Sequence, residues 1–583
     1  MQHFLKILGA LASGCALSLC FEPFQEGWLV WGWLWILLPI LWTTKGKWRR
    51  LKGFGYGYLS GLSFWLINMK WIWTVTGLGA VTIALYLALY FGAFGAFAAV
   101  SGNPWRKETK LAKTVPQRFQ EMSRSLAYAA VLGGLWCGLE WIRGWMLTGF
   151  GWNGLGVAFS NSLMLAQNAE FVGVIGLSFL PVFFSAVVVQ VGRRFYQQSV
   201  LGGVKMLHWD FATAMLVIMA AFTLGTFRFT TVIGSEKITA KVLLIQQNIP
   251  QKAGQIQWSA QDIVDGFIEL TEDTLEEIDN QTIEDLKNAE EEVIVSGQRP
   301  DLVLWPEACL PEWFYLDEEG RPVGGPAIES ILKYIVSIGD FTLITGINEV
   351  EGNPEDPSAR IYNSLLALDS DGTRQSFKKH HLVYFGEAIP DIQFLRDLYE
   401  ETTGFPFGGG LTPGQDFDPL DLKLRGVDIG LIPSVCFEDT VPRLARKFVR
   451  PEPQLIVNIT NDGWFQESEG AAQHFQNSLF RSIELRRPML RCANQGVTSV
   501  VSMVGSTFDP VTAEDRRLVN GEGSHFHRGA LLANVYLPAN AAVTLYSRWG
   551  DWFAVTGLVI GFLWSLALRF ASRGVRAFAP LAE

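Results

Sequence analysis

The feature that most limits the fold of this chain is a series of long apolar runs that stops at Arg228 and resumes once near Trp552. A hydrocarbon core of roughly 30 Å takes about 20 apolar residues in helix. Candidate spans lie near Leu5–Phe21, Leu29–Trp42, Gly53–Trp73, Val81–Val100, Leu126–Trp141, Phe171–Val191, Phe211–Phe227 and Trp552–Leu568. The second is short, but its Trp-rich ends suit a membrane interface. Lys6 followed by Ile7–Cys20 has the look of a signal peptide, and Ala12-Ser13-Gly14-Cys15 loosely resembles a lipoprotein cleavage box. Because further spans follow at once, we read this stretch as a first membrane helix. Between Arg228 and Asp551 no comparable run occurs, which leaves about 300 residues for a soluble domain with a full core. The expected division is residues 1–230 as a seven-helix membrane region, 231–545 as a catalytic domain, and 546–583 as a final membrane helix and tail.

Lys and Arg placement orients the spans. Lys45, Lys47, Arg49, Arg50 and Lys52 follow the second span, and Arg106, Lys107, Lys110, Lys113, Arg118 and Arg124 follow the fourth. Arg193 and Arg194 follow the sixth, and Arg569, Arg573 and Arg576 the last, whereas the first loop carries Glu22 and Glu26. Every second loop is basic. Both termini are therefore expected on the cytoplasmic side and the 231–545 domain outside. A net charge of -10 argues against nucleic-acid binding, which needs a basic face. Six Cys without paired spacing, and no CxxC or HExxH, indicate neither a disulfide framework nor a zinc site.

Within the soluble interval, Lys241–Gln247, Leu302–Trp305, Phe341–Thr345, Gly426–Ser434 and Leu455–Ile459 read as short buried strands. Amphipathic stretches such as Ile263–Val293 and Phe475–Arg487 lie between them, so an α/β domain with layered sheets is expected. The acidic part, Ile263–Glu292, reads as a solvated helix face or an acidic binding element.

Reactive groups in α/β domains collect beyond the carboxyl ends of strands. Glu307, Cys436 and the polar run Asn458-Ile459-Thr460-Asn461-Asp462 stand there, and Lys378 and Lys379 come from a connecting segment. A carboxylate, an ammonium and a thiol can together perform nucleophilic acyl transfer. In that scheme Glu307, its pKa raised by burial behind Trp305 and Pro306, takes the thiol proton, and Lys379 faces the growing oxyanion. Glu387 and Glu438 are placed to hold Lys379 and a substrate amine. Each residue also has a plainer reading: a core Cys, a loop carboxylate, a solvated Lys. Their joint occurrence at separate strand mouths is what favours chemistry. Cys309 and Cys492 compete as nucleophile, although neither directly ends an expected strand. His380 and His381, adjacent on a strand, would point to opposite faces, so no metal and no cofactor are expected there.

The segments carrying these residues resemble the nitrilase superfamily, whose sites are built from Glu, Lys and Cys on an αββα sandwich. The whole chain resembles the bacterial apolipoprotein N-acyltransferase family. The similarity runs through Gln247-Asn248-Ile249-Pro250-Gln251 with Trp258 after it, and Trp305-Pro306-Glu307. It continues through Phe377-Lys378-Lys379-His380-His381-Leu382-Val383-Tyr384-Phe385-Gly386-Glu387, Cys436-Phe437-Glu438 and Asn461-Asp462-Gly463-Trp464-Phe465. In the membrane part, Glu140-Trp141-Ile142-Arg143-Gly144 followed by Thr148-Gly149-Phe150 resembles the family's motif near the fifth helix. Three positions depart from the family pattern. Phe437 stands for a common Tyr, and Tyr384 and Gly151 each stand for a Pro. The acidic Ile263–Glu292 region is also longer than usual.

The resemblance implies eight transmembrane helices joined to an αββα catalytic domain, in a bacterial inner-membrane protein. It implies Glu307, Lys379 and Cys436 as the catalytic residues, which selects Lys379 over Lys378 and Cys436 over the other thiols. Glu387, Glu438, Trp258, Trp464 and Phe437 then fall around the triad as supporting or substrate-facing residues. The implied reaction moves an acyl chain from a membrane phospholipid, through a thioester on Cys436, to the α-amine of a diacylglyceryl apolipoprotein. A monomer is expected. The rival readings are a membrane-tethered amidase with water as acceptor and an inactive membrane scaffold. The stretch Thr402–Pro413 reads either as an apolar loop that dips into lipid or covers the site, or as a plain surface loop.

Overall fold

The computed structural model describes all residues except 107–114, 148, 202–207, 236, 253–254, 257, 289–298, 354–358, 385, 390–392, 394–395, 398–399, 401–409 and 578–583. Residues 402–409 of the Gly-rich stretch, Thr148, Phe385, Lys107, Lys110, Lys113 and the end of the acidic region therefore lie outside the described residues. The chain divides into two compact units, Met1–Thr230 with Arg548–Glu583, and Thr231–Ser547.

The first unit is helical. Among the described residues, Gly77–Ala98, Pro116–Arg143, Trp209–Ile233 and Trp552–Phe570 are long and apolar enough to cross a membrane. The pair Ala169–Leu177 and Phe179–Val200, bent by 57°, makes a fifth if counted as one span. The other three expected spans fall short for reasons visible in their residues. The first is a 17-residue helix, Gln2–Ser18. The second is split into a 3-10 turn, Gly27–Trp31, and a nine-residue helix, Leu34–Trp42, that contains Pro39. The third, Arg49–Asn68, starts on Arg49, Arg50 and Lys52, and its interior is diluted by glycine. The glycines serve close packing elsewhere too. A Cβ on Gly557 would stand 2.4 Å from the Gly134 carbonyl oxygen, so these two helices meet backbone to backbone. The interior is filled by aromatic rings, with Trp136 packed edge-on against Trp33, Phe91 and Phe94 at 4.9–5.1 Å. Leu85, Leu89, Phe222, Phe562 and Leu563 are turned outward, so the exterior is apolar as well.

The second unit is the layered α/β domain. Its main strands are β1 (Lys237–Gln246), β2 (Leu302–Leu304), β3 (Trp313–Leu316), β4 (Pro322–Val323), β5 (Thr342–Glu351), β6 (Arg360–Leu368) and β7 (Arg374–Lys378). There follow β8 (Leu420–Leu424), β9 (Val427–Val435), β10 (Gln454–Thr460), β11 (Met489–Ala493), β12 (Ser499–Val501) and β13 (Gly529–Pro538). One sheet runs β13-β1-β2-β5-β3-β4, with β6 paired to β5 and β7 to β6; the other runs β8-β9-β10-β11-β12. The central pairs are parallel, in register Val242 with Leu302, Leu302 with Thr342, Gly430 with Gln454, and Ile456 with Met489. These strands are buried along their length, which is why they read as continuous apolar runs.

Cys492 shows that the two sheets lie face to face. Its sulfur, on β11, is 3.3 Å from the Ile245 carbonyl and 3.4 Å from that of Leu304. On the outer side of the first sheet, the helices Ala260–Asn288 and Pro326–Ser337 bury Ile263, Phe267, Leu275, Leu332 and Ile335 against Leu243, Val303 and Leu343. On the second sheet the expected helix Phe475–Arg487 is two helices, Glu469–Ser478 and Phe480–Leu485, the latter ending on left-handed Arg486.

Candidate active site

The strand order carries three turns to one place. Trp305 continues the β2–β5 pairing, its N–H bonded to the Ile344 carbonyl, and Gly346 N–H donates to Pro306. Residue 346 must be Gly, because a Cβ there would stand 2.7 Å from the Glu307 Cα and 2.4 Å from the Ala308 nitrogen. Lys379 follows β7 directly and is fixed through its backbone, with its N–H on the Asn363 carbonyl and its own carbonyl accepting from Gly414. Cys436 follows β9 at the start of a 3-10 turn, Cys436–Thr440, and holds φ at 54°. A non-Gly residue in that region stores strain, as reactive elbows commonly do. Asn458, on neighbouring β10, donates to the Cys436 carbonyl at 3.0 Å and to Ser434 Oγ at 3.1 Å.

The side chains converge. Lys379 Nζ is 2.7 Å from Glu387 Oε1 and 3.7 Å from Glu307 Oε1, and its side chain is 1% exposed. The Cys436 thiol and the Glu307 carboxyl are close enough to act on each other electrostatically. Burial pushes the Glu307 carboxyl up, against the pull of Lys379, and pushes the Cys436 thiol well up, with Glu307 adding to the rise. Burial disfavours the Lys379 ammonium, but Glu387 and Glu307 outweigh it and hold the group protonated. At rest the site thus contains a neutral thiol, a fixed cation and a carboxylate able to accept a proton. Cys436 is half-buried, so a reactant can reach it.

The remaining sequence candidates fall in different places. Glu387 belongs to the site, with its second oxygen accepting from Val383 N–H at 2.7 Å. Glu438 does not face open space. Its oxygens accept from the backbone N–H groups of His380, His381 and Val435 at 2.7–2.8 Å, tying the Lys379 turn to the Cys436 turn. Its expected hold on a substrate amine is therefore replaced by a hold on the protein's own backbone, and burial raises its pKa to about 7. Trp258 and Trp464 are exposed, not core residues. Phe437 is half-buried and stacks on His381, ring centroids 5.9 Å apart. The two adjacent His lie in the turn after β7, not on a strand as expected, and burial lowers both to about 4. Cys309 is buried against Thr345 Oγ1 at 2.9 Å, its thiol pushed up to about 12 by burial, and Cys492 is sealed between the sheets. No cluster of three or more potential metal ligands occurs among the described residues.

Two features escaped the sequence. Asn363, on β6, donates to Glu307 Oε1 at 2.7 Å and to Glu387 Oε1 at 3.2 Å, so it spaces the two carboxylates. Behind Cys436, His474 bridges Asp439 and Asp462 at 2.9 and 2.7 Å, and Arg491 meets the same two carboxylates at 3.3 and 3.1 Å. Asp439 belongs to the Cys436 turn, so this buried network fixes that turn from behind. Only the pairing of β11 with β10 brings Arg491 to it; nothing local in the sequence signals the contact.

A sandwich of this strand order with such a site defines a carbon–nitrogen hydrolase domain, and residues 245–535 match the carbon-nitrogen hydrolase family model. Residues 13–187 match the model of the apolipoprotein N-acyltransferase N-terminal domain. The apolipoprotein N-acyltransferase of Bradyrhizobium diazoefficiens is 30% identical over 74% of this chain and 72% of its own length. That of Geobacter metallireducens is 28% identical over 94% of this chain and 92% of its own. A solved CN-hydrolase superfamily protein from Xanthomonas campestris aligns at 15% identity and a TM-score of 0.32, covering 51% of this chain and 90% of that one. The chain belongs to the apolipoprotein N-acyltransferase family. Its activity is that of an acyltransferase in lipoprotein maturation.

Proposed function

We propose that Glu307, Lys379 and Cys436 carry out this N-acylation with a membrane phospholipid as acyl donor. The observation that carries the proposal is the placement of the Lys379 ammonium between Glu387 and Glu307, with the Cys436 thiol beside the same charges. The Cys436 sulfur attacks an ester carbonyl of the phospholipid while its proton passes to Glu307, so a thiolate need not exist at rest. Lys379 stabilises the oxyanion. The ester C–O bond breaks, the proton on Glu307 moves to the departing alkoxide, and a lysophospholipid leaves a thioester behind. The α-amine of the diacylglyceryl-Cys of an apolipoprotein then attacks that thioester. An amide C–N bond forms, the C–S bond breaks, and the amine proton returns through Glu307 to the sulfur. Trp258, Trp464 and Phe437 line the approach of the lipid substrates.

The working topology is seven spans over 1–230, an extracytoplasmic catalytic domain over 231–545, and one span in 546–583, as a monomer in the bacterial inner membrane. Alternating basic loops support this orientation. Both substrates are lipid-anchored, so a membrane-held site meets them at high effective concentration.

The test uses the detergent-purified protein, phospholipid labelled in its acyl chains and a diacylglyceryl peptide. Label is expected first on Cys436 and then on the peptide amine. Label released only as free fatty acid would overturn transfer, and undiminished labelling of Cys436→Ala would overturn the nucleophile.

A further inference from the structure

The bend at Cys436 is held by a side chain that takes no part in the proton transfers. β9 and β10 pair in parallel as far as Val435 opposite Ile459, and there the chain leaves the sheet. It leaves through Cys436 itself, whose φ of 54° is uncommon for any residue but glycine. Such a bend persists only where its surroundings enforce it. Asn458 is placed to do so. It lies opposite Ser434 on β9 and opposite Arg491 on β11, so the three side chains form a row on one face of the sheet. From that row its amide nitrogen reaches the Cys436 carbonyl at 3.0 Å and Ser434 Oγ at 3.1 Å. A carbonyl can only accept, so the donor end of the amide is the end that faces Cys436.

The other end of the amide is idle. Asn458 is fully buried, and among the described residues its Oδ1 has no hydrogen-bond partner. Burying an unpaired amide oxygen is unfavourable. A second left-handed strand exit, Asn248 after β1, shows that this fold can use both ends. There Asn494 Oδ1 accepts from the Ile249 N–H and Asn494 Nδ2 donates to the Ile249 carbonyl, each at 3.1 Å. A side chain kept at position 458 for packing alone would be a leucine of similar shape, with no oxygen of its own left unpaired. What asparagine supplies and leucine does not is a donor on the peptide of Cys436. Arg491, next in the row, reaches the same turn only through Asp439, three residues further on.

We propose that Asn458 is a positioning residue for acyl transfer: by fixing the Cys436–Phe437 peptide it keeps the thiol aimed at the charges of Glu307 and Lys379. It acts through Cys436 rather than on substrate, and the proposal rests on the reading of Cys436 as the nucleophile.

The test uses the full chain in detergent with the labelled phospholipid and the diacylglyceryl peptide. Asn458→Leu keeps the volume and removes the donor. Asn458→Asp keeps the shape and, ionised beside Arg491, cannot donate. Each is expected to lower kcat about fiftyfold, with KM for the peptide within about twofold of the parent. Alkylation of Cys436 by iodoacetamide, which needs no lipid, should slow about tenfold, while the midpoint of thermal unfolding stays within about 3 °C. Parental kcat in either variant overturns the proposal. So does a lost kcat with parental alkylation of Cys436, because the thiol is then still aimed. A lost kcat accompanied by a fall of more than about 8 °C in the midpoint also overturns it, because the residue then serves the fold. Should Asn458→Leu not fold, Asn458→Asp decides. Transfer surviving in Cys436→Ala would sink the nucleophile reading and this proposal with it, whereas parental Asn458 variants beside an inactive Cys436→Ala sink this proposal alone.

Discussion

Charge is buried differently in the helical unit and around the Cys436 turn. In the helical unit Arg194 meets Asp210, Arg228 meets Glu170, and Glu140 accepts from three neutral donors. Around the Cys436 turn of the α/β unit the buried charges share partners. Lys379 is held by two carboxylates, and Asp439 and Asp462 are each held by both His474 and Arg491. A separate pair can lose one member with local damage. A shared network cannot, because one loss leaves several groups uncompensated in a medium of low dielectric. The α/β unit therefore has its reactive turn gripped from both sides, by Glu438 in front and by Asp439 behind.

The largest expected effect comes from the shared cluster that includes the thiol. Cys436→Ala should abolish acyl-enzyme formation. Glu307→Gln should cost about three orders of magnitude in transfer, and Lys379→Met about two to three, measured as label on the peptide amine. Lys379→Met should also destabilise the unit, since it leaves Glu307 and Glu387 facing each other. Transfer surviving in Glu307→Gln at more than about a tenth of the parental rate would remove Glu307 as base.

A second contrast sets the units directly against each other. Arg491→Met strips two buried carboxylates of their shared partner and should cost about 3–5 kcal/mol. Glu140→Gln keeps an acceptor for its neutral donors and should cost about 1–2 kcal/mol. Thermal unfolding of the purified variants compares them. Equal losses would break the distinction between shared and separate burial.

The same distinction explains what the sequence revealed. The parallel strands β2, β9 and β10, and the first part of β5, were legible because burial on both faces makes these stretches largely apolar. The strand β11 is absent from the expected strands: Arg491 interrupts the apolar run of Met489–Ala493, although that arginine is fully buried on two aspartates. The antiparallel strands β6, β7 and β8 alternate or carry polar groups, and their pairings depend on partners far along the chain. Glu307, Lys379 and Cys436 could be named as candidates because each directly follows an apolar run or sits in a motif. Asn363 carries no such mark, and its importance exists only once β6 lies beside Lys379. In the helical unit apolar length was visible, but whether a run stays one helix depended on Pro39, on the charged start of Arg49–Asn68 and on the 57° bend.

Titration offers a smaller effect confined to the network. Burial disfavours the His474 imidazolium, but Asp439 and Asp462 outweigh both burial and Arg491, raising its pKa from 6.5 to about 9. A raised folded-state pKa means the contribution is complete below pH 6.5, declines as pH rises through about 9 and is absent beyond. The loss should amount to about 3 kcal/mol. Thermal unfolding measured from pH 6 to pH 10 should therefore fall more steeply in the parent than in His474→Asn. Parallel curves would show that His474 is neutral in the folded protein and that the two aspartates rely on Arg491 alone.

The smallest effect is expected at a neutral group beside the proposed nucleophile. Phe437 follows Cys436, is half-buried, and stacks on His381 with an interplanar angle of 19°. His381 is itself neutral, lowered to about 4 by burial and by Arg443. A hydroxyl added by Phe437→Tyr thus joins a stack with a neutral imidazole, while the ring of His474 stands 6.5 Å away. The change should stay within about 0.5 kcal/mol in stability and about twofold in transfer rate. Comparing rates for donors of different headgroup decides what the position does. A uniform change would place Phe437 in support of the Cys436 turn, whereas a change confined to one headgroup would place its ring against the lipid and extend the sensitivity of this unit beyond its shared charges.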